Sequence, residues 1–285
     1  MAASDWERQW QDIKLEESMY VTAHEEKKEN PMNAGIEKIM PDNIQNTLDT
    51  AFNAAFRIVF EMGTPLIEHT YNKKKSKGVF FRNDYELEKK ATKEAIDRFE
   101  KSAKKSNSIN MAIAAVEGTS LGLFGVGVPD IPIFAGVLLR AVYQIAIQYG
   151  FDYTSEEEQI FILKVIENAL LHGQELREKN DDFNRFIDDG KPFEISKDDQ
   201  IRQTSKTLSR ELLYMKFVQT LAVVGLLGGA TDIYVMNCVT KYANIKYRRR
   251  FIRGKYQPDT DRTEKEQEKI TAAKTASGQG EESGS

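Results

Sequence analysis

Three carboxylates lie within runs of small and apolar residues: Glu117, Asp130 and Asp232. The two aspartates share a pattern, Gly-x-x-Asp-Ile, which begins at Gly127 and again at Gly229. Carboxylates that meet in one pocket can act as general acids and bases or bind a metal ion. If the two turns bring the three side chains together, the sequence favours a hydrolase or a metal-binding enzyme.

The same two aspartates also suit a structural role, which we favour. Asp is a preferred N-cap residue because its carboxylate accepts hydrogen bonds from free backbone N–H groups in the first helical turn. Asp130 and Asp232 each end a run of small residues and begin a helical pattern. We therefore predict two glycine-rich apolar helical hairpins, each capped by one aspartate. The glycines that would allow close packing are Gly122, Gly125, Gly127, Gly225, Gly228 and Gly229.

Other catalytic and cofactor patterns are incomplete. The stretch GTSLG from Gly118 matches the G-x-S-x-G pattern of a nucleophile elbow, but it lacks the preceding strand that this motif needs. The glycine-rich runs lack the Lys and Ser or Thr of a phosphate-binding loop. His24, His69 and His172 are too far apart for a metal-binding motif, and Cys238 is typical of a small core residue. We expect no cofactor and no metal, and the balance favours a protein that is not an enzyme.

A basic run near the C-terminus contains no acidic residue. Tyr242, Tyr247 and Phe251 alternate with its cations, a mixture expected where a helix contacts anionic lipid. Each Lys or Arg at such a surface contributes about 1 kcal/mol, so the run favours reversible attachment to an anionic membrane surface or to a membrane protein. A solvated helix end with favourable dipole interactions explains the run equally well. The predicted membrane-contact residues are Lys241, Lys246, Arg248, Arg249, Arg250, Arg253 and Lys255.

Composition and charge narrow the class of protein. Of the 285 residues, 40% are hydrophobic and 29% are charged, as in a soluble globular protein. The net charge of −4 argues against nucleic acid as a partner. The single cysteine and the absence of an apolar signal region predict a cytoplasmic protein, placed peripherally on the inner face of the cell membrane if the basic run binds lipid. The longest uncharged run in residues 217–239 has 15 residues, whereas a spanning helix needs about 20.

Helical periodicity dominates the chain and no segment alternates as a strand does, so the predicted fold is all-α with a single compact multi-helix domain. We predict a polar N-terminal helical arm (residues 1–34), a helical domain (35–253) and a disordered C-terminal tail (254–285). Trp6 and Trp10 are spaced to share one face of the arm, as in a docking segment.

Helix boundaries are best defined in TSEEEQIFILKVIENALLHG. Thr154 and Glu157 fit a capping box, and Gly173 fits the C-terminal stop, with His172 in the last turn. Residues 175–197 are polar and rich in turn residues, which predicts a surface excursion. Amphipathic helices are predicted on both sides of this region, one from Asp42 to Gly63 and one through Ile201, Leu208, Leu212 and Met215.

Residues 112–253 resemble the EcsC family of bacterial proteins. Three segments carry the resemblance: EGTSLGLFGVGVPDIPIF, YGFDYTSEEEQIFIL and VVGLLGGATDIYVMNCVTKYANIKYRRRFI. The family takes its name from a protein encoded beside an ABC transporter. The resemblance implies a bacterial, helical and cytoplasmic accessory protein that acts at or near the membrane, and it transfers no catalytic residues. One departure is Asp232, since the resemblance leads us to expect an asparagine nearer the glycines.

Overall fold

A computed structural model describes residues 2–25, 42–63, 77–78, 80, 84, 131–221 and 228–256. These residues form helices and connecting turns, and no strand occurs among them, which confirms the predicted all-α class. In chain order the helices are α1 (Ala2–Ala23), α2 (Asp42–Ile58) with a π-helical continuation (Val59–Gly63), α3 (Ile131–Gln148), α4 (Glu156–Asn168), α5 (Gly173–Asp189), α6 (Lys197–Leu221) and α7 (Gly228–Lys255).

Helix α7 is the element around which the others are arranged. It packs against α1, α3, α4, α5 and α6, while α2 lies between α3 and α6, and α4 also contacts α6. Helix α1 packs on α7 and α5, so the part of the predicted arm from residue 2 to 23 is helical and contacts the other helices. Its Trp6 and Trp10 are buried in the common core, as their shared helix face predicts.

Helix α3 is buried almost all round, because Arg140 is its only charged residue. Leu138, Leu139 and Ile145 have no exposed surface. By length and composition α3 is the one helix among the described residues that could cross a membrane, yet 61% of it is buried inside the protein. One such helix is weak evidence for a span, since core helices have the same composition.

The turn between α3 and α4 explains where α4 begins. Gly150 has a φ of 85°, and the ring of Phe80 occupies the space that a Cβ atom would need, so only glycine fits there. The capping-box prediction is wrong by one residue: Ser155 is the N-cap, and its Oγ accepts a hydrogen bond from the Glu158 backbone N–H at 3.2 Å. Thr154 lies in the preceding turn because its N–H donates to Asp152 Oδ1 at 3.2 Å.

The C-terminal end of α4 also differs from the prediction. The helix ends at Asn168, whereas Gly173 begins α5 and His172 is extended at the N-terminal boundary of that helix. Two contacts with the end of α1 hold this connection: Tyr20 Oη donates to the Ala169 carbonyl, and the Gly173 N–H donates to the His24 carbonyl, each at 3.0 Å. The helix therefore stops where α1 docks rather than at the glycine.

Residues 173–189 form α5, so the prediction of a surface excursion is wrong for this part. Leu176, Phe183 and Ile187 are buried at helical spacing on one face, and polar side chains cover the other. Gly190 ends the helix with a φ of 69°, and its N–H donates to the Arg185 carbonyl. The mostly polar composition of residues 173–189 therefore made the narrow apolar stripe of this helix hard to recognise.

Several predictions concern residues outside those that the structure describes. Glu117, Asp130, the first glycine-rich run and the tail beyond residue 256 belong to this group. Helix α3 begins at Ile131, the position that follows Asp130. Helix α7 begins at Gly228, so the backbone of Asp232 lies inside the helix and the N-cap prediction for Asp232 is wrong. The small residues before Asp232 continue the helix instead of ending it.

Candidate functional site

A cluster of four charged side chains joins α1, α5 and α7, and we call it the buried charge cluster: Glu17, Asp188, Lys246 and Arg249. Glu17 Oε1 lies 2.9 Å from Lys246 Nζ, and Glu17 Oε2 lies 2.7 Å from Arg249 Nη1. Arg249 also forms a two-pronged ion pair with Asp188, with Nε donating to Oδ1 at 3.1 Å and Nη2 to Oδ2. The two acids and two bases balance one another in charge.

Neutral side chains complete the hydrogen bonding of the cluster. Glu17 Oε1 accepts from the amide groups of Asn180 and Asn184 at 2.7 and 2.6 Å. Lys246 Nζ donates to Asn184 Oδ1 at 2.8 Å, and Tyr242 Oη donates to Asn180 Oδ1 at 2.9 Å. Such partners are what a buried carboxylate and ammonium require, because unpaired charges in the interior cost several kcal/mol each. The network thereby specifies how α1, α5 and α7 meet.

Burial and the neighbouring charges shift the pKa values of Glu17 and Lys246 in opposite directions. Burial alone would raise the pKa of Glu17, but Lys246, Arg249 and the Asn184 hydrogen bond outweigh it and lower the pKa to about 2. Burial lowers the pKa of Lys246 to about 8 against the attraction of Glu17. Glu17 is thus firmly ionised at neutral pH, while Lys246 holds its proton less firmly than an exposed lysine.

Helix α1 covers two further arginines of α7. Arg248 pairs with Glu16 at 2.9 Å and donates to Gln9 Oε1 at 2.5 Å. The guanidinium carbons of Arg249 and Arg253 lie 5.0 and 5.9 Å from the centroid of Trp10, in cation–π contact. Acidic, amide and aromatic side chains of α1 therefore all contact cations of α7.

A second ion pair attaches α7 to α4. Arg250 Nη1 lies 2.6 Å from Glu158 Oε2, and Tyr247 Oη donates to Glu158 Oε1 at 2.7 Å. The guanidinium of Arg250 also stacks over Phe151 and Phe161, at 4.3 and 4.7 Å. Burial and the adjacent Glu158 carboxylate raise the pKa of Tyr247 well above its usual value, so its hydroxyl stays a hydrogen-bond donor.

The burial of the basic run corrects one expectation from the sequence. Four of the seven predicted contact residues are buried, so the run does not form one exposed basic face; these are Lys246, Arg248, Arg249 and Arg253. The carboxylates that pair with Lys246, Arg248 and Arg249 come from α1 and α5, far away in the sequence, and Arg253 donates to the backbone carbonyl of Asp188. Lys241 is exposed, and Lys255 pairs with Asp84 at 2.8 Å. Lipid contact itself stays a prediction.

None of the four residues that define the buried charge cluster is a predicted catalytic carboxylate. Glu117 and Asp130, and the side chain of Asp232, lie outside the described residues, so their predicted convergence stays a prediction. Among the residues that the structure describes, no group of three or more His, Cys, Asp and Glu side chains could hold a metal ion. Cys238 is buried, and burial raises the pKa of its thiol to about 11, as suits a core residue.

Sequence reasoning missed Glu17 as a partner of the basic run, although a signal was present. Residues 6, 10, 13, 17 and 20 repeat at helical spacing, and four of them are large and apolar. An acidic residue in the middle of such a stripe must be buried with a cation when the stripe docks. The basic run, which has no acid of its own, supplies that cation.

Comparison with known protein families finds a match that covers most of the chain. The family model described as the EcsC protein family matches residues 6–252. The match extends from α1 through the basic run of α7, a larger region than the segments that carry the resemblance. Neither the search of curated proteins nor that of solved structures finds a significant match.

Proposed function

Because this chain belongs to the EcsC protein family, we propose that it is a bacterial accessory protein that acts at or near the cytoplasmic membrane. The basic run of α7, the central helix of the core, supplies the cations that contact anionic lipid or a membrane-protein partner, such as a component of an ABC transporter. The proposal concerns binding rather than catalysis.

One observation supports it above the others: arginines of the basic run of α7 pair with carboxylates of other helices within the fold. Arg248 and Arg249 bind the carboxylates of Glu16, Glu17 and Asp188. Arginine forks that hold carboxylates have the geometry that also suits phosphate oxygens. Lys241, about two helical turns before these arginines, is exposed on the same helix.

Vesicle sedimentation across a salt series tests the proposal. The wild type should pellet with anionic vesicles, remain in solution with neutral vesicles and be released by high salt, because the attraction is electrostatic. Lys241→Gln with Lys255→Gln should weaken binding. The matched control, Lys191→Gln with Lys206→Gln, removes the same charge from exposed positions outside α7 and should leave binding unchanged.

Equal sedimentation of the wild type with both kinds of vesicle contradicts the lipid contact of the proposal. Equal weakening by the two lysine pairs would mean that net charge matters and α7 does not. A pull-down of membrane proteins with and without lipid would then separate a protein partner from a lipid surface.

A further inference from the structure

We propose that α1 is a detachable cover over a phosphate-binding face of α7, and that an anionic membrane takes its place. The inference rests on the proposed function and adds its regulation: with α1 docked, most of the cations are occupied internally, and with α1 released they face the lipid. The face beneath α1, which we call the covered face, consists of Lys246, Arg248, Arg249 and Arg253.

The contacts of the covered face with α1 are individually defined. Lys246 and Arg249 bind the two oxygens of Glu17, at 2.9 and 2.7 Å. Arg248 binds Glu16 at 2.9 Å. In the protein with α1 in place, Lys246 is 0% exposed and each of the three arginines is 7–8% exposed, so lipid has no access to them.

The chemistry of this interface resembles that of an anionic headgroup. Glu16 and Glu17 place carboxylate oxygens against a fork of guanidinium groups and one ammonium, and phosphate oxygens suit the same donors. Trp10 is in cation–π contact with Arg249, and tryptophan is enriched at the interface between lipid and water. The acidic side chains of α1 thus occupy the face with oxygen atoms like those that an anionic headgroup would supply.

Release of α1 would free the connection between α4 and α5, which Tyr20 and His24 hold, but it would leave the other described helices packed on one another. Helix α1 packs on α7 and α5, whereas the contacts of α2, α3, α4 and α6 with one another do not involve it. The cations would not be stranded in the interior, because Arg249 keeps its pair with Asp188 and the uncovered face opens to water. The outer side of α1 carries Leu15 and Met19, which are 61% and 64% exposed.

The test compares the full chain with a release variant and a matched control. Trp6→Ala with Trp10→Ala removes the aromatic anchors of α1 and leaves every charge unchanged. Leu15→Ala with Met19→Ala truncates two apolar residues on the exposed side of the same helix. We expect the release variant to bind anionic vesicles with a roughly tenfold higher apparent affinity, the effect of one or two added cations at an anionic surface. The control should bind like the wild type.

Hydrogen exchange supplies a second readout that does not depend on a variant. In the wild type, anionic vesicles should lower the protection of the α1 amides, and neutral vesicles should not. Inorganic phosphate without lipid should leave the α1 amides protected, as neutral vesicles do. Release of α1 by phosphate alone would make free phosphate the ligand and overturn the assignment to a membrane.

Circular dichroism verifies that each variant keeps its helix content. Glu16→Gln, at a half-exposed position, provides a milder release variant if the tryptophan pair does not fold.

The outcomes separate this inference from the proposed function. If neither the wild type nor a folded release variant prefers anionic vesicles, the lipid contact of the proposed function fails and the inference fails with it. If the wild type binds and the folded release variant binds equally or less well, α1 is not a cover and the proposed function stands. Binding by the release variant alone would show that an anionic membrane does not displace α1 from the wild-type protein, which overturns the inference, and that the basic run binds lipid only when it is uncovered.

Discussion

Glu17 and Lys246 lie 229 positions apart in the sequence and form an ion pair of 2.9 Å in the protein interior. The Lys246 side chain has no exposed surface, and that of Glu17 is 4% exposed. The pair connects the N-terminal helix to the central C-terminal helix, so the position of α1 depends on it. Helix α1 is therefore attached both by this ion pair and by its buried apolar residues.

Glu17→Gln should destabilise the protein by roughly 3 kcal/mol, because it leaves Lys246 and Arg249 buried with one carboxylate between them. Chemical denaturation measures the change. The matched control is Glu16→Gln: its partner Arg248 is buried, but Glu16 itself is 38% exposed, and the loss should be about 1 kcal/mol or less. Equal losses at the two positions would show that burial of the carboxylate does not decide the energy of the pair.

Acid should weaken the native state through Glu17. Its pKa is about 2 in the folded protein and 4.5 is its ordinary value, so the unfolded chain takes up the proton first as the pH falls. The stabilisation is complete above pH 4.5, and roughly 3 kcal/mol of it should disappear as the pH falls to about 2. Denaturation of the wild type and of Glu17→Gln across this range measures the contribution. The free-energy gap between them should narrow with acid, and a constant gap would contradict the assignment.

Ser155→Ala should cost about 1 kcal/mol, because it removes the side-chain acceptor for the Glu158 N–H at the start of α4. Thr154→Ala, one residue earlier, is the control and should change the free energy of unfolding by less than about 0.5 kcal/mol. Thermal or chemical denaturation distinguishes the two. A larger loss at Thr154 would restore the capping box that the sequence pattern favours.

Cys238 should react slowly with iodoacetamide in the native protein. Burial raises the pKa of its thiol to about 11, so roughly one thiol in a thousand is ionised at pH 8. Mass spectrometry measures alkylation against time, and the readout is unambiguous because the chain has a single cysteine. Unfolding with denaturant should accelerate the reaction strongly. Equal rates in native and denatured protein would contradict the buried position.

Local signals predicted most helices of the described regions and the shared face of Trp6 and Trp10. They misplaced the boundaries of α4 and α5, because Thr154 and Ser155 both have a glutamate three residues later and either could be the cap. Which of the two residues caps α4 depends on Asp152, whose carboxylate accepts a hydrogen bond from the Thr154 N–H. The end of α4 depends likewise on Tyr20, a residue of another helix that binds the Ala169 carbonyl.

The sequence by itself determined the helical class, the amphipathic faces and the family, because these depend on periodicity and on motifs within short segments. Only the tertiary structure decided the state of the basic run. Seven cations without a neighbouring acid indicate an exposed face when read locally, but four of them are buried. Glu16, Glu17 and Asp188 approach from distant positions and pair with three of these four cations. Ion pairs of this kind are set by which helices pack together, and the spacing of charges along one segment contains no information about that packing.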